Sequence, residues 1–342
     1  TAAVQKGILE NLPRLDYSGG ASCPSLLLEP QRTNILAYSE GMFDSSNFTP
    51  FLGISVEGQQ TDLNGTNTAV KLSNFVQNSA RLDYNTTVAA VDGKTYTYSA
   101  YYKGSGDIRI NVSASTGVGG AGEKTITLTN EWVRHSVTTT FSSPTGNVKS
   151  HLAITRTANN DAEVYLCFAQ IEEGSYPTSY IPTYGSSVTR SQDVCNGAVD
   201  ATNFNDSEGV LYAEIAALAD DGTFRNISVN NGTTAQSVRI YYRNTANKIT
   251  ALIGSSSGGG VTVNVANLYT FNKIALVYQN DNAKLFVNGI LEGTIQGITM
   301  PTGLNQLDFN IAGVLPFYGK AKEVIYFPTA LTDDECIALT TI

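Results

Sequence analysis

Charge is scarce in this chain of 342 residues: Lys, Arg, Asp and Glu make up 15%, and 30 acids against 21 bases leave a net charge of -9. An acidic balance offers no general surface for releasing counterions, which argues against nucleic acid or an anionic membrane as the main partner. Histidine occurs twice, at His135 and His151, and tryptophan once, at Trp132. The four cysteines, Cys23, Cys167, Cys195 and Cys336, show no CxxC or Cys/His spacing, which argues against a zinc site and for buried free thiols. No apolar run reaches the roughly 18 residues of a membrane-spanning helix, and the N-terminus lacks the charged-then-apolar pattern of a secretion signal. No membrane insertion is expected.

What the chain does have is Gly, Ser, Thr and Asn, with 18 Tyr and 13 Phe bringing aromatics to 9%. That is a turn-rich, β-rich composition, and the length suits two domains, each able to bury a core. Asn-X-Ser/Thr triplets begin at Asn47, Asn64, Asn85, Asn111, Asn205, Asn226 and Asn231; chance supplies them in so much Asn, Ser and Thr, and they carry no functional weight.

Residues 1–35 read as an extended, mostly irregular arm, broken by Pro13, Gly19, Gly20, Pro24 and Pro30. From 36 to 184, runs of Val, Ile, Thr and Tyr recur between Gly, Asn and Asp at about ten-residue spacing, as in an antiparallel sandwich. Thr95 to Lys103 is a clear strand, with Tyr96, Tyr98, Ala100 and Tyr102 on one face and Thr97, Ser99 and Tyr101 on the other. A linker over 185–205 is followed by a second set of strands over 206–342, in VLYAEIAAL, SVRIYYRN, KITALIG, VTVNV, NKIALVYQ and AKLFVNG, with hairpin turns at Asn280 to Asn282 and at Asn288-Gly289. Thr332-Asp-Asp-Glu335 is a capping box, so 333–340 is expected to be a short helix covering an edge. The fold class expected is all-β, two tandem antiparallel β-sandwiches with an N-terminal arm and a C-terminal helix.

Several segments invite a chemical reading and do not sustain it. Gly117 to Thr125, GVGGAGEKT, misses the phosphate-loop spacing because Glu123 intervenes before Lys124, and a strand pattern follows in place of a helix. Gly254 to Gly260 is another hairpin tip. Neither histidine has a companion motif, although a Ser/His/Asp set assembles only in space. Of the carboxylate pairs a glycosidase needs, Glu172 and Glu173 point to opposite faces of a strand end, Asp220 and Asp221 share a turn, and Asp333 and Asp334 serve the helix; no catalytic residue is assigned. Exposed aromatics are more informative, because a sugar ring stacks its C–H face on Tyr or Phe while Arg, Asn or Asp binds the hydroxyls. The candidate ligand-binding residues are Arg81, Tyr84 and Tyr101 in the first sandwich and Tyr241 and Tyr242 in the second.

Two segments carry a resemblance. CPSLLLEPQRTN, from Cys23 to Asn34, and AQIEEGSYPTSYIPTYGSSVTR, from Ala169 to Arg190, are similar to signature segments of bacteriophage tail-fibre, head-fibre or adhesin-like structural proteins, and NKIALVY, LFVNG, FYGKAKEVIYF and ALTDDE follow in the same order. The resemblance implies a jelly-roll sandwich of carbohydrate-module type preceding a laminin-G/concanavalin A-like one. It also implies a place at the surface of a phage particle assembled in the bacterial cytoplasm, and a homo-oligomer, commonly a trimer. The expected partners are bacterial surface polysaccharide and other virion proteins. The expected function is glycan binding without cleavage; the alternatives are a structural capsid or tail protein and, third, a depolymerase. The opening AAVQKGILENLPRLDY looks like the end of a segment that continues upstream in the family, so a processed chain or fragment is expected. No cofactor is required, but sandwiches of these types often hold a structural calcium, with Asp206, Asp220, Asp221 and Asp281 as a pool of ligands. Glu29, Gln31 and Arg32 are expected to clamp the arm, pairing with Glu172 and Glu173. If the two signature segments run side by side, Cys23 and Cys195 come within reach of each other.

Overall fold

The alternation of branched, aromatic and polar residues is realised as strand after strand. The computed structural model describes residues 12–18, 22–40, 48–51, 53–75, 80–116, 122–154, 162–254 and 260–342. The chain's opening, Asn47 and most of the two glycine-rich tips lie outside the described residues. Contacts divide the chain into two units, one formed by Gln31–Ser191 and the other by Gln192–Ile342 together with the described residues before Gln31.

Within the segment expected to be a mostly irregular arm, the described residues include three short strands. β1 (Leu15–Asp16) pairs with β2 (Ser25–Leu28), and both belong to the second unit. β3 (Arg32–Asn34) belongs to the first and pairs with a short strand at 188–190. The apolar triplet explains the strand: Leu28 is buried in the second unit's core, and sheet pairing satisfies backbone groups that an arm would leave to water.

The first unit continues with β4 (Phe48–Phe51), β5 (Ser55–Gln60), β6 (Ala69–Ser73), β7 (Arg81–Ala89), β8 (Thr95–Ser105), β9 (Asp107–Thr116), β10 (Gly122–Thr127), β11 (Val133–Thr140), β12 (Thr145–Ile154), β13 (Glu163–Glu173) and β14 (Val188–Arg190). β4 to β13 form two five-stranded antiparallel sheets, ordered β10-β9-β12-β7-β4 and β11-β8-β13-β6-β5, while β14 pairs only with β3. Facing side chains fill the space between them, among them Leu82, Tyr84, Tyr98, Tyr102, Ile110, Val112, Leu152, Val164 and Ile171. Tyr96, Tyr98, Ala100 and Tyr102 take the core face of β8 as their spacing requires, and the hydroxyls of Tyr98 and Tyr102 satisfy each other at 2.7 Å. In β13 the register slips between Cys167 and Gln170, with Phe168 in the left-handed region at φ 53°. This bulge accompanies the placing of the Phe168 ring on the outer face, stacked on Tyr180 at 4.8 Å.

The second unit adds β15 (Glu208–Ala217), β16 (Arg225–Asn230), β17 (Ser237–Tyr242), β18 (Lys248–Ile253), β19 (Gly260–Asn264), β20 (Asn272–Gln279), β21 (Asn282–Val287), β22 (Ile290–Gln296), β23 (Gln306–Asp308) and β24 (Gly319–Phe327). Its sheets are ordered β1-β2-β24-β15-β20-β21-β22 and β19-β18-β17-β16-β23. Asn280 and Asp281 both have positive φ, as do Asn288 and Gly289, the conformation of tight hairpin turns. Helix α1 (Asp333–Thr340) starts with Thr332 and Glu335 in a reciprocal capping box. It covers a sheet face where an edge was expected, because Cys336 completes a small apolar cluster with Val210, Tyr212, Val277 and Phe286.

Candidate functional site

Each sheet of the first unit has an outer face, and the two faces differ. Over β11-β8-β13-β6-β5 a second apolar cluster of Ala69, Cys167, Phe168 and Tyr180 gathers Leu63, Tyr101 and Trp132. Buried Glu172 ties the returning segment down, accepting from the Thr178 amide at 3.0 Å and from the Thr178 hydroxyl. That face is used for packing.

The outer face of β10-β9-β12-β7-β4 is polar. Strand register lays Glu123, Asn111, His151, Asp83 and Thr49 in one row across all five strands. A neighbouring row carries Ser113, Lys149 and Asn85, and the row on the other side ends with Arg81 opposite Phe51. Their alternate neighbours Leu82, Tyr84, Ile110, Val112 and Leu152 are core, so period-two alternation forces the polar set outward.

At one edge of this face the Arg81 guanidinium lies 4.2 Å from the Phe51 ring centroid. Phe51 keeps 37% of its surface exposed. The Arg81 Nε donates to Asp83 Oδ1 at 2.9 Å, and His151 Nδ1 hydrogen-bonds the same oxygen. The other ring nitrogen, Nε2, is 3.2 Å from Ser113 Oγ. Burial pushes the Asp83 carboxyl up, but the His151 hydrogen bond and the charges of His151 and Arg81 outweigh it and hold the group below its ordinary value. Arg109 pairs with Glu123 at 3.2 Å.

The residues singled out in the sequence are scattered. Arg81 stands on the polar face. Tyr101 is half-buried on the opposite side of the same sandwich, edge-on to Phe168 and with the Arg134 guanidinium 5.8 Å from its ring. Tyr84 and Tyr242 are corrected outright: at 3% and 1% exposure they are core side chains, and neither can stack under a sugar. Burial of the ring pushes both hydroxyls well up. Tyr241 is half-buried on the outer face of its sheet, its ring 6.1 Å from Phe224. Sequence reasoning missed Phe51, Asp83, Asn111, Ser113 and His151 as a group, since they lie on four different strands. The only signal was the polar member of each alternating pair.

Other expectations are also revised. Glu29 pairs with Arg14 at 3.4 Å, Glu173 with Lys94 at 2.6 Å, and Arg32 lies over the Tyr176 ring at 5.4 Å, so the proposed clamp on Glu172 and Glu173 is replaced by other partners. All four cysteines are free, Cys23 exposed and Cys195 half-buried. Within the calcium pool, Asp206 accepts from the Gly303 and Leu304 amides, Asp220 from the Asn247 amide, and Asp221 pairs with Arg225 at 2.7 Å. Among the described residues no three His, Cys, Asp or Glu side chains group as metal ligands.

No family model matches the chain, and no curated protein matches it. Some solved structures are similar over part of this chain. The CBM40 of Ruminococcus gnavus IT-sialidase bound to α2,3-sialyllactose is 22% identical over 44% of this chain and 95% of its own, with a TM-score of 0.37. The N-terminal CBM22-1 and GH10 modules of Clostridium thermocellum xylanase 10B, complexed with xylohexaose, are 13% identical over 44% of this chain and 29% of their own, with a TM-score of 0.31. Mouse laminin α1 domains LG4-5 are 7% identical over 77% of this chain and 91% of their own, with a TM-score of 0.28. The class defined by the structure itself is an all-β protein of antiparallel sheets closed by one short C-terminal helix.

Proposed function

We propose that the outer face of β10-β9-β12-β7-β4 binds a glycan without cleaving its backbone, and that the chain serves as a fibre or adhesin subunit of a phage particle, recognising polysaccharide on its bacterial host. The observation that carries the binding reading is the Phe51–Arg81 stack at the border of a polar row. Phe51 gives a sugar ring an apolar platform, Thr49 lies two residues along the same strand, and Asn85 and Asn111 offer hydroxyl partners farther across the face. A shallow site of this kind is weak alone, and repetition in a trimer would raise its effective strength. The virion role rests on the signature segments at 23–34 and 169–190.

A structural role in virion assembly is the second reading, favoured by edge strand β22, where Ile290 and Leu291 are 60% and 42% exposed. Such an edge suits a protein neighbour. The two readings separate in one experiment: the folded chain is titrated against capsular and cell-wall polysaccharides from candidate hosts, in wild-type and Phe51→Ala forms. Binding abolished by the substitution supports the adhesin. Absence of binding across the panel moves the function to assembly.

A further inference from the structure

We propose that Ser113, His151 and Asp83 form a hydrolytic relay that removes small O-acyl groups from the glycan held on this face; the choice of substrate rests on the glycan-binding reading. The three side chains come from adjacent strands β9, β12 and β7 and stand in the order nucleophile, base, orienting acid. Ser113 Oγ is 3.2 Å from His151 Nε2, and His151 Nδ1 bonds Asp83. Arg81 donates to the same Asp83 oxygen at 2.9 Å, while the His151 amide donates to Asn111 Oδ1 at 2.9 Å. With Asp83 ionised, Nδ1 carries the ring proton, a tautomer assigned from this network. Nε2 is then free to accept from the serine. Lys149, the register partner of Ser113, is on the same face and pairs with no acid among the described residues.

In the first half-reaction, Ser113 Oγ adds to the ester carbonyl carbon and its proton passes to His151 Nε2. The imidazolium is stabilised by Asp83, and Lys149, the register partner of Ser113, would supply the positive charge for the oxyanion. Collapse breaks the ester C–O bond, and His151 returns the proton to the departing sugar oxygen, leaving an acyl-serine. Water, deprotonated by His151, then attacks that ester; Ser113 recovers its proton and the carboxylic acid leaves. Ser113 is only 8% exposed and the His151 side chain 15%, so access suits an acetyl-sized group. With one ammonium in place of paired backbone amides for the oxyanion, turnover is expected to be slow.

The test uses the whole chain with p-nitrophenyl acetate, an O-acetylated polysaccharide and its de-acetylated form, and a fluorophosphonate probe. The expected result is acetate release with the probe bound on Ser113. Ser113→Ala should abolish both, and His151→Ala should slow release at least about 100-fold. As a positioning residue, Asp83 is tested by Asp83→Asn, which should change the pH–rate profile as well as the rate. The probe keeps the test independent of whether a variant folds. Glycan binding with neither release nor Ser113 labelling overturns the relay and leaves the binding reading standing. Ser113 acylation without glycan binding does the reverse. Release unaffected by Ser113→Ala also overturns the relay.

Discussion

Arg81 and Phe51 face each other across the β4–β7 ladder, the guanidinium carbon 4.2 Å from the ring centroid. The guanidinium is anchored to Asp83, so one residue links an aromatic platform to the polar row. In sequence the two are separated by 29 positions (81 minus 51, less one) and show no common pattern.

Platform and core aromatics should respond differently to truncation. Phe51→Ala and Arg81→Ala are expected to weaken glycan binding at least about tenfold while the thermal midpoint moves little, because both side chains are partly exposed and cation–π pairs at such sites contribute only about 0.5–1 kcal/mol. Isothermal titration alongside thermal melts checks this.

Tyr84→Ala is expected to cost about 3–5 kcal/mol by cavity formation, because the ring is 3% exposed and packs edge-on to Phe48 at 4.9 Å. Tyr242→Phe should be close to neutral, since no protein group bonds its buried hydroxyl and removing an unsatisfied polar atom removes a desolvation cost. Urea unfolding curves distinguish the two.

Acid should weaken the first unit through Asp83. Its carboxyl is held below its ordinary value when folded. The stabilisation is therefore fully present above the unfolded value and is lost as pH falls through the lower, folded one. Asp83→Asn should flatten the pH dependence of stability below about pH 4. Denaturant titrations from neutral pH downward test this; an unchanged slope would contradict it.

The thiols are expected to react in sequence. Exposed Cys23 should label first in the native protein, and Cys195 more slowly, since burial and Asp308 push its thiol up. Cys336, pushed up to about 11 by burial and neighbouring acids, and buried Cys167 should label only on unfolding. Mass spectrometry after alkylation, with and without denaturant and never with reductant, should find all four available once unfolded.

Thr332→Ala should cost about 1 kcal/mol by removing the hydroxyl that caps the Glu335 amide at 3.3 Å. The loss should show as faster amide exchange across 333–340 before any change in sheet protection.

The sequence by itself determined the all-β class, the core face of β8, the turns at 280–282 and 288–289, and the capped helix. Each of these is local: strand alternation has period two, a hairpin turn needs residues that accept positive φ, and a capping box spans four positions. The tertiary structure decided what depends on register and on pairing between distant segments. It took residues 25–28 from an expected arm into the sheet beside β24, and it buried Tyr84 and Tyr242, which composition alone made attractive as exposed aromatics. Alternation divides a strand into two faces without saying which is covered. Tyr101 faces outward as expected, yet the segment carrying Tyr180 packs over that face, while the outward residues of β7, β9 and β12 remain polar and converge. Asp83, Ser113 and His151 became neighbours only because three strands align within one residue of register, and that alignment is set by long-range pairing that no short window contains.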